Sequence, residues 1–224
     1  MIGDWNIWAI LAVAAMGYLF GNLQIAVIIS KIYFKDDIRR HGSGNAGSTN
    51  MLRVYGKLFG LLTFVGDAIK CVGAVLLGQW IGSLLQLNVN PEDALMMGGY
   101  IAGLMVVIGH CFPAFFGFKG GKGAASALAY MWMICPLSAA FTTVCGLIIL
   151  LFSRRVSFVS VMGAVLFPMF TGLLIMAPQF KIEYPYLIYF VVAVSILVLL
   201  RHIPNIKRLV RGEEKELKEP KKKD

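Results

Sequence analysis

Charge is scarce in this sequence. Only 15% of its 224 residues are Asp, Glu, Lys or Arg, while 58% are hydrophobic. Soluble domains carry charge on about a quarter of their positions, so a water-soluble globule is excluded. Cysteine and histidine are scarce as well. Cys71, Cys111, Cys135 and Cys145 form no Cys-x-x-Cys pair, and all lie in or at the ends of apolar runs. That placement fits small buried side chains better than a disulfide framework or a zinc site. The three histidines, His41, His110 and His202, are far apart and lack the i, i+4 spacing of a metal-binding helix; no structural metal and no cofactor are expected. No basic face interleaved with aromatics sits on a soluble module, which argues against nucleic acid as a partner. The N-terminus lacks a basic leader, having Asp4 instead, and its apolar stretch outruns a signal-peptide core. It is expected to stay as the first membrane helix.

What the chain has in abundance is long apolar runs of the length that crosses a bilayer. They fall at about Trp5–Tyr33, Leu58–Leu87, Ala94–Phe116, Ala124–Phe152, Val156–Ala177 and Tyr184–Leu200. Trp5 and Trp8 suit an interfacial aromatic belt. Asn22 and Gln24 interrupt the first run and are expected to hydrogen-bond to neighbouring helices. Asp67 and Lys70, at i and i+3 in the second, read either as a mutually neutralising pair or as functional residues.

The net charge of +9 gathers between the runs and at the end, and such basic segments belong in the cytoplasm. Ala124–Phe152 decides the sidedness. Lys119 and Lys122 precede it, and Arg154–Arg155 follow it. A single crossing would expel one of these basic segments and also the tail Arg201–Asp224, which holds nine Lys or Arg. Two short crossings meeting near Cys135–Pro136, or a re-entrant dip there, keep every basic segment inside. The expectation is an all-α integral membrane protein of seven transmembrane helices. Its N-terminus is outside, Asn88–Asp93 and Ala177–Glu183 face outward, and the C-terminus is cytoplasmic. The whole chain, 1–224, forms one membrane domain with a basic tail over about 201–224.

Three polar segments then meet at the cytoplasmic interface. Phe118-Lys119-Gly120-Gly121-Lys122-Gly123 sets two lysines among glycines, where backbone N–H groups and cations can cradle an anion. It is no Walker A loop, since Ala124 follows Gly123. A short loop whose lysines only fix topology is the alternative. Ser43-Gly44-Asn45-Ala46-Gly47-Ser48-Thr49-Asn50, followed by Arg53 and Lys57, again reads as a linker or as an anion cradle. The stretch Arg201-His202-Ile203-Pro204-Asn205 opens a tail that could simply lie on anionic lipid heads. Together the segments supply cations for two phosphate groups, and a phosphate beside an interhelical groove implies lipid chemistry.

Gly42 to Asn50, Gly109-His110…Pro113…Phe116-Gly117-Phe118-Lys119-Gly120-Gly121-Lys122-Gly123, and Arg201-His202…Asn205-Ile206-Lys207-Arg208-Leu209…Gly212-Glu213 resemble the three motifs of the bacterial acyl-phosphate-dependent glycerol-3-phosphate acyltransferases. The resemblance covers nearly the whole chain, and the middle motif is its most specific part. Ser48 stands where Ala is usual, Ile203-Pro204 where polar residues are common, and Cys71 replaces the Gly of an Asp-x-x-Lys-Gly stretch. The resemblance implies acyl transfer from acyl phosphate to the 1-hydroxyl of sn-glycerol 3-phosphate at a cytosolic site of the bacterial plasma membrane. The product would be lysophosphatidic acid, and the step the first in phospholipid synthesis. The partners implied are those two substrates and membrane lipids, with a monomer sufficient because the acyl groove can lie within one chain.

Under that resemblance Ser43, Arg53, Lys119, Lys122, His202 and Asn205 are the expected catalytic residues. Gly44, Asn45, Gly47, Thr49, Asn50, His110, Gly120, Gly121 and Gly123 are expected to bind substrate. An acyl phosphate is already activated, so no covalent enzyme intermediate is required. Ser43 lacks the Gly-x-Ser-x-Gly setting of a nucleophile, position 41 being His. His41, His202 or a substrate phosphate remains as general base. No histidine has Asp five residues on, which argues against an acyltransferase of the His-x-x-x-x-Asp type. An anion transporter using Asp67 and Lys70 is the rival of a different class.

Overall fold

A computed structural model describes residues 6–87, 90–177, 179 and 186–217. Among them every regular element is helical: α1 Ile7–Asn22, α2 Ile25–Phe34, α3 Ser48–Tyr55, α4 Lys57–Leu84, α5 Pro91–Cys111, α6 Ala124–Ile134, α7 Pro136–Ser153, α8 Val156–Met176 and α9 Leu187–Val210, with short 3-10 turns at Ile38–Arg40 and Ala114–Phe116. Trp5, residues 88–89, most of the expected outer segment Ala177–Glu183 and the end of the tail lie outside the described residues.

Among the described residues, six stretches are long and apolar enough to cross a membrane, counting α1 and α2 as one. Their outer faces carry large apolar side chains in the open, among them Trp8, Leu151, Phe152 and Met176. Water would penalise that surface, whereas lipid tails match it. The centre of the bundle is α5, with 67% of its apolar stretch buried against 22% for α7 and α8. Small residues let its neighbours approach. A Cβ on Gly17 or Gly21 of α1 would collide with the α5 backbone at Ala102, Val106 and Gly109. Gly78 and Gly82 of α4 meet Gly98 and Ala94 of α5 in the same way. Without a hydrophobic force between helices in lipid, such backbone-to-backbone contact is what holds membrane helices together.

The first run is broken, where a continuous helix over Trp5–Tyr33 was expected. Leu23 and Gln24 leave helical geometry, which strands carbonyls inside the bundle. Buried donors recover them. Lys70 Nζ donates to the Leu23 carbonyl at 2.7 Å, and Gln24 Nε2 donates to the carbonyls of Gly21 and His110 at 3.2 Å each. Asn22 accepts from the Phe115 amide at 3.2 Å. The expected interhelical role of Asn22 and Gln24 therefore holds, and the break explains why it is needed.

The chain reverses at Cys135–Pro136. Trp132 Nε1 donates to Thr143 Oγ1 at 3.2 Å, although a straight helix would hold residues eleven apart about 16 Å from each other. The limbs meet where expected and are unequal, 11 residues in α6 and 18 in α7. At about 16 Å, α6 is well short of a bilayer core. The last helix also departs from expectation. It continues through Pro204 to Val210, so Arg201–Val210 is not a loose polybasic segment. His202, Asn205 and Arg208 recur at helical spacing on the face that carries Val194 and Val198.

Candidate functional site

One face of the bundle collects the polar segments. The 3-10 turn at Ile38–Arg40 leads into the loop before α3, and Asn50 ties that loop together. Its Oδ1 accepts from the Ser43 amide at 2.9 Å, and its Nδ2 reaches the carbonyls of His41 and Asn45 at 3.0 and 3.1 Å. Asn50 thus shapes the cradle with both ends of its amide engaged by backbone.

The glycine loop after α5 is held from two sides. Arg39 donates to the carbonyls of Phe116 and Lys119 at 3.0 and 3.2 Å, and Arg201 to those of Gly121 and Gly120 at 2.9 and 3.4 Å. Arg201 also stacks over Phe112, 5.0 Å from the ring centroid. Gly121 must be glycine, because a Cβ there would meet His110 Nε2 and the Ala46 carbonyl. That collision marks where the first and second motifs touch.

Behind them lies a buried ionic cluster. Lys70 Nζ sits 2.7 Å from Asp67 Oδ1 and 2.9 Å from His110 Nδ1. The expected Asp67–Lys70 pair exists, with His110 as a third member. All three side chains are within 5% of full burial. Isolated charges there would be prohibitively costly, so the cluster persists only because its members satisfy one another.

In front of the loops opens a cavity of about 390 Å³. Its polar end is lined by Ser43, Asn45, Gly47, Thr49, Asn50, Arg53, His110, Lys122, Gly123, His202 and Asn205. Its other end runs between α6, α7, α8 and α9, against Leu128, Met131, Leu147, Val159, Val194 and Val198. Of the expected site residues, Gly44, Lys119, Gly120 and Gly121 stay out of its wall. Lys119 is exposed, and the two glycines act by letting the loop pack. His41 is also outside, exposed and paired with Asp36 at 2.5 Å. His202 is at the cavity, and its Nδ1 lies 2.8 Å from the Val198 carbonyl. A carbonyl can only accept, so Nδ1 carries a proton, and in the neutral form of the ring Nε2 is the acceptor.

Lys122 Nζ donates to Asn205 Oδ1. Burial, then the neighbouring Arg208, lowers its ammonium to about 8, with Arg53 and Arg201 adding to the effect and Glu214 opposing it. Burial likewise lowers the Arg53 guanidinium. The polar end is therefore a crowd of cations whose mutual repulsion an incoming anion relieves.

Three contributors escaped the sequence reading: Arg208, Glu214 and Ser157, all in the cavity wall. Glu214 is buried at 6% exposure. Its Oε1 accepts from Ser157 and Asn205 at 2.7 Å each, and its Oε2 from Arg208 at 2.6 Å.

The family model described as glycerol-3-phosphate acyltransferase matches residues 11–212. A glycerol-3-phosphate acyltransferase of Neisseria gonorrhoeae is 40% identical over 207 residues, covering 92% of this chain and 96% of the relative. One from Clostridioides difficile is 35% identical over 212 residues, covering 95% and 97%. The crystal structure of PlsY (YgiH), an integral membrane glycerol 3-phosphate acyltransferase, superimposes in its glycerol 3-phosphate form with a TM-score of 0.76 at 32% identity, covering 92% of this chain and 94% of that one. Its lysophosphatidic acid form gives a TM-score of 0.73. Motif, fold and relatives agree, and the chain belongs to the glycerol-3-phosphate acyltransferase family.

Proposed function

We propose that this membrane acyltransferase moves a fatty acyl group from acyl phosphate to the 1-hydroxyl of sn-glycerol 3-phosphate, releasing inorganic phosphate and leaving lysophosphatidic acid. The observation that carries this reading is the shape of the cavity, where a cation-rich end continues into an apolar groove. An amphiphile with an anionic head and a hydrocarbon tail fits both parts at once. Acyl phosphate is a mixed anhydride, so the protein needs only to bring two anions together and stabilise charge as it moves. Ser43, Thr49 and the backbone of the first glycine loop cradle the acyl phosphate. Arg53 and Lys122 hold phosphate charge and receive the negative charge that develops on the carbonyl oxygen and the departing phosphate. The glycerol hydroxyl attacks the acyl carbon, the C–O bond to phosphate breaks, and the hydroxyl proton passes to a base. His202 lines the cavity and His41 does not, which favours His202 of the two as that base, with a substrate phosphate as the alternative. No acyl-enzyme is formed; a hydroxylamine-sensitive adduct would contradict this scheme.

The protein sits in the bacterial plasma membrane with this site toward the cytoplasm, the N-terminus out and the C-terminus in. Seven crossings follow if α6 and α7 each count as one. The gathering of Lys119, Lys122, Arg154, Arg155 and Arg208 at one end of the bundle supports that orientation.

Purified protein given acyl phosphate and labelled glycerol 3-phosphate should form labelled lysophosphatidic acid without coenzyme A. Product only with acyl-CoA would reject the donor, and no product with any donor would reject the function.

A further inference from the structure

After α9 the chain turns at Gly212 and runs back over the polar end of the cavity. This returning segment is tied at several points. Leu217 N donates to the Arg154 carbonyl at 2.7 Å, Arg155 Nε to the Glu214 carbonyl at 3.1 Å, and an Arg53 amino group to the Lys215 carbonyl at 3.1 Å. It thereby links α3 to the α7–α8 turn. Among its described residues, the one buried side chain is Glu214. A carboxylate placed among cations is expected; what matters is which groups it holds and how.

Glu214 Oε1 accepts from Asn205 Nδ2. An amide has one donor end and one acceptor end, so this bond decides which way Asn205 faces. With Nδ2 committed to Glu214, Oδ1 must point to the opposite side, where it accepts from Lys122. Ser157 and Arg208 fix the carboxylate in turn. We propose that Glu214 is a positioning residue for acyl transfer: it sets the Asn205 amide and, through it, holds the Lys122 ammonium at the polar end of the cavity. This rests on the function proposed above.

Charge supports the geometry. The cations facing Lys122 are Arg53 from α3 and Arg201 and Arg208 from α9, and Glu214 is the carboxylate that opposes them. Burial raises the Glu214 carboxyl, but hydrogen bonds from Ser157, Asn205 and Arg208 outweigh it and hold the group below its ordinary value. It is therefore ionised throughout the working pH range. The sign for Lys122 follows. Its protonated form prevails below about 8, so kcat/KM for glycerol 3-phosphate falls as pH rises through that value. Removing the carboxylate removes an influence that raises it, and the alkaline limb moves to lower pH.

The test uses the full chain in detergent or vesicles. Glu214→Gln keeps the shape and loses the charge. It should lower kcat/KM for glycerol 3-phosphate roughly tenfold or more, mainly through KM, and shift the alkaline limb down by about half a pH unit or more. Glu214→Asp should keep the wild-type limb. With Asn205→Ala the losses should be strongly non-additive, because both act on Lys122 as a unit. A Glu214→Gln enzyme with unchanged kcat/KM and limb overturns the inference, as does simple additivity. Should Glu214→Gln fail to fold, Ser157→Ala, which removes one of the two donors to the same carboxylate oxygen and leaves its charge, should raise KM for glycerol 3-phosphate by a smaller factor with the alkaline limb in place; an unchanged KM overturns the inference there too. If the parent protein transfers no acyl group, the functional reading has failed, and the inference is then judged on binding of glycerol 3-phosphate across pH. Loss of the pH dependence shift between parent and Glu214→Gln in that measurement rejects it independently.

Discussion

At the scale of single residues, the site is a matter of which cation faces the cavity. Lys119 and Lys122 stand three positions apart in a glycine-rich loop and look equivalent in the sequence. In the fold Lys122 is half-buried in the cavity wall and bonded to Asn205, while Lys119 is exposed outside it. Hydrogen bonds that involve a charged group contribute about 1.5–3 kcal/mol. Lys122→Ala should therefore cut kcat/KM by roughly 10- to 150-fold, and Lys119→Ala by a much smaller factor, measured on protein with unchanged thermal stability. Full activity in both would remove this loop from the site. The glycine motifs were legible because they act locally: a run of Gly with Lys or Ser reads as a cradle wherever it sits. Arg39 was not, because its partners are backbone carbonyls about 80 positions away and nothing in the local pattern marks it; Arg201 opens the third motif, but its hold on the Gly121 carbonyl, 80 positions away, leaves no trace there.

At the scale of elements, breaks matter as much as helices. The Cys135–Pro136 reversal was legible from charge alone, since the basic segments on both sides of Ala124–Phe152 could not be separated by a membrane. The break at Leu23–Gln24 coincides with the polar interruption at Asn22 and Gln24, which read as interhelical hydrogen bonding within one helix and not as a break. Its stability depends on Lys70, which bonds the Leu23 carbonyl while neutralising Asp67. Lys70→Met should leave the buried Leu23 carbonyl unpaired and the Asp67 carboxylate with His110, 3.3 Å away, in place of its ammonium, and destabilise the protein by about 3–5 kcal/mol. Thermal unfolding in detergent would check this, and Asp67→Leu added to Lys70→Met should recover part of the loss. A Lys70→Met protein as stable as the parent would show the cluster to be dispensable. The extension of α9 through Pro204 was missed for a different reason. Its charge density matched a lipid-surface tail, and only the packing of His202 and Asn205 against the cavity shows it as a wall.

At the scale of the whole molecule, the arrangement puts the two ends of the α6–α7 hairpin beside one another. Lys122 precedes α6 and Arg155 follows α7, and the segment holding Glu214 reaches toward both through Asn205 and directly to Arg155. If both limbs cross, an impermeant thiol reagent applied from outside the cell should label Cys135 in a protein lacking the other three cysteines. Protection of Cys135 from both sides would instead make the hairpin a dip. The polar end takes Ser43 from early in the chain and Glu214 from late in it. A ribosome must therefore lay down every helix before the last wall of the cavity can dock. No nascent chain that stops short of Glu214 holds a finished site, so insertion into the bilayer is complete before the protein can begin to alter the lipids around it.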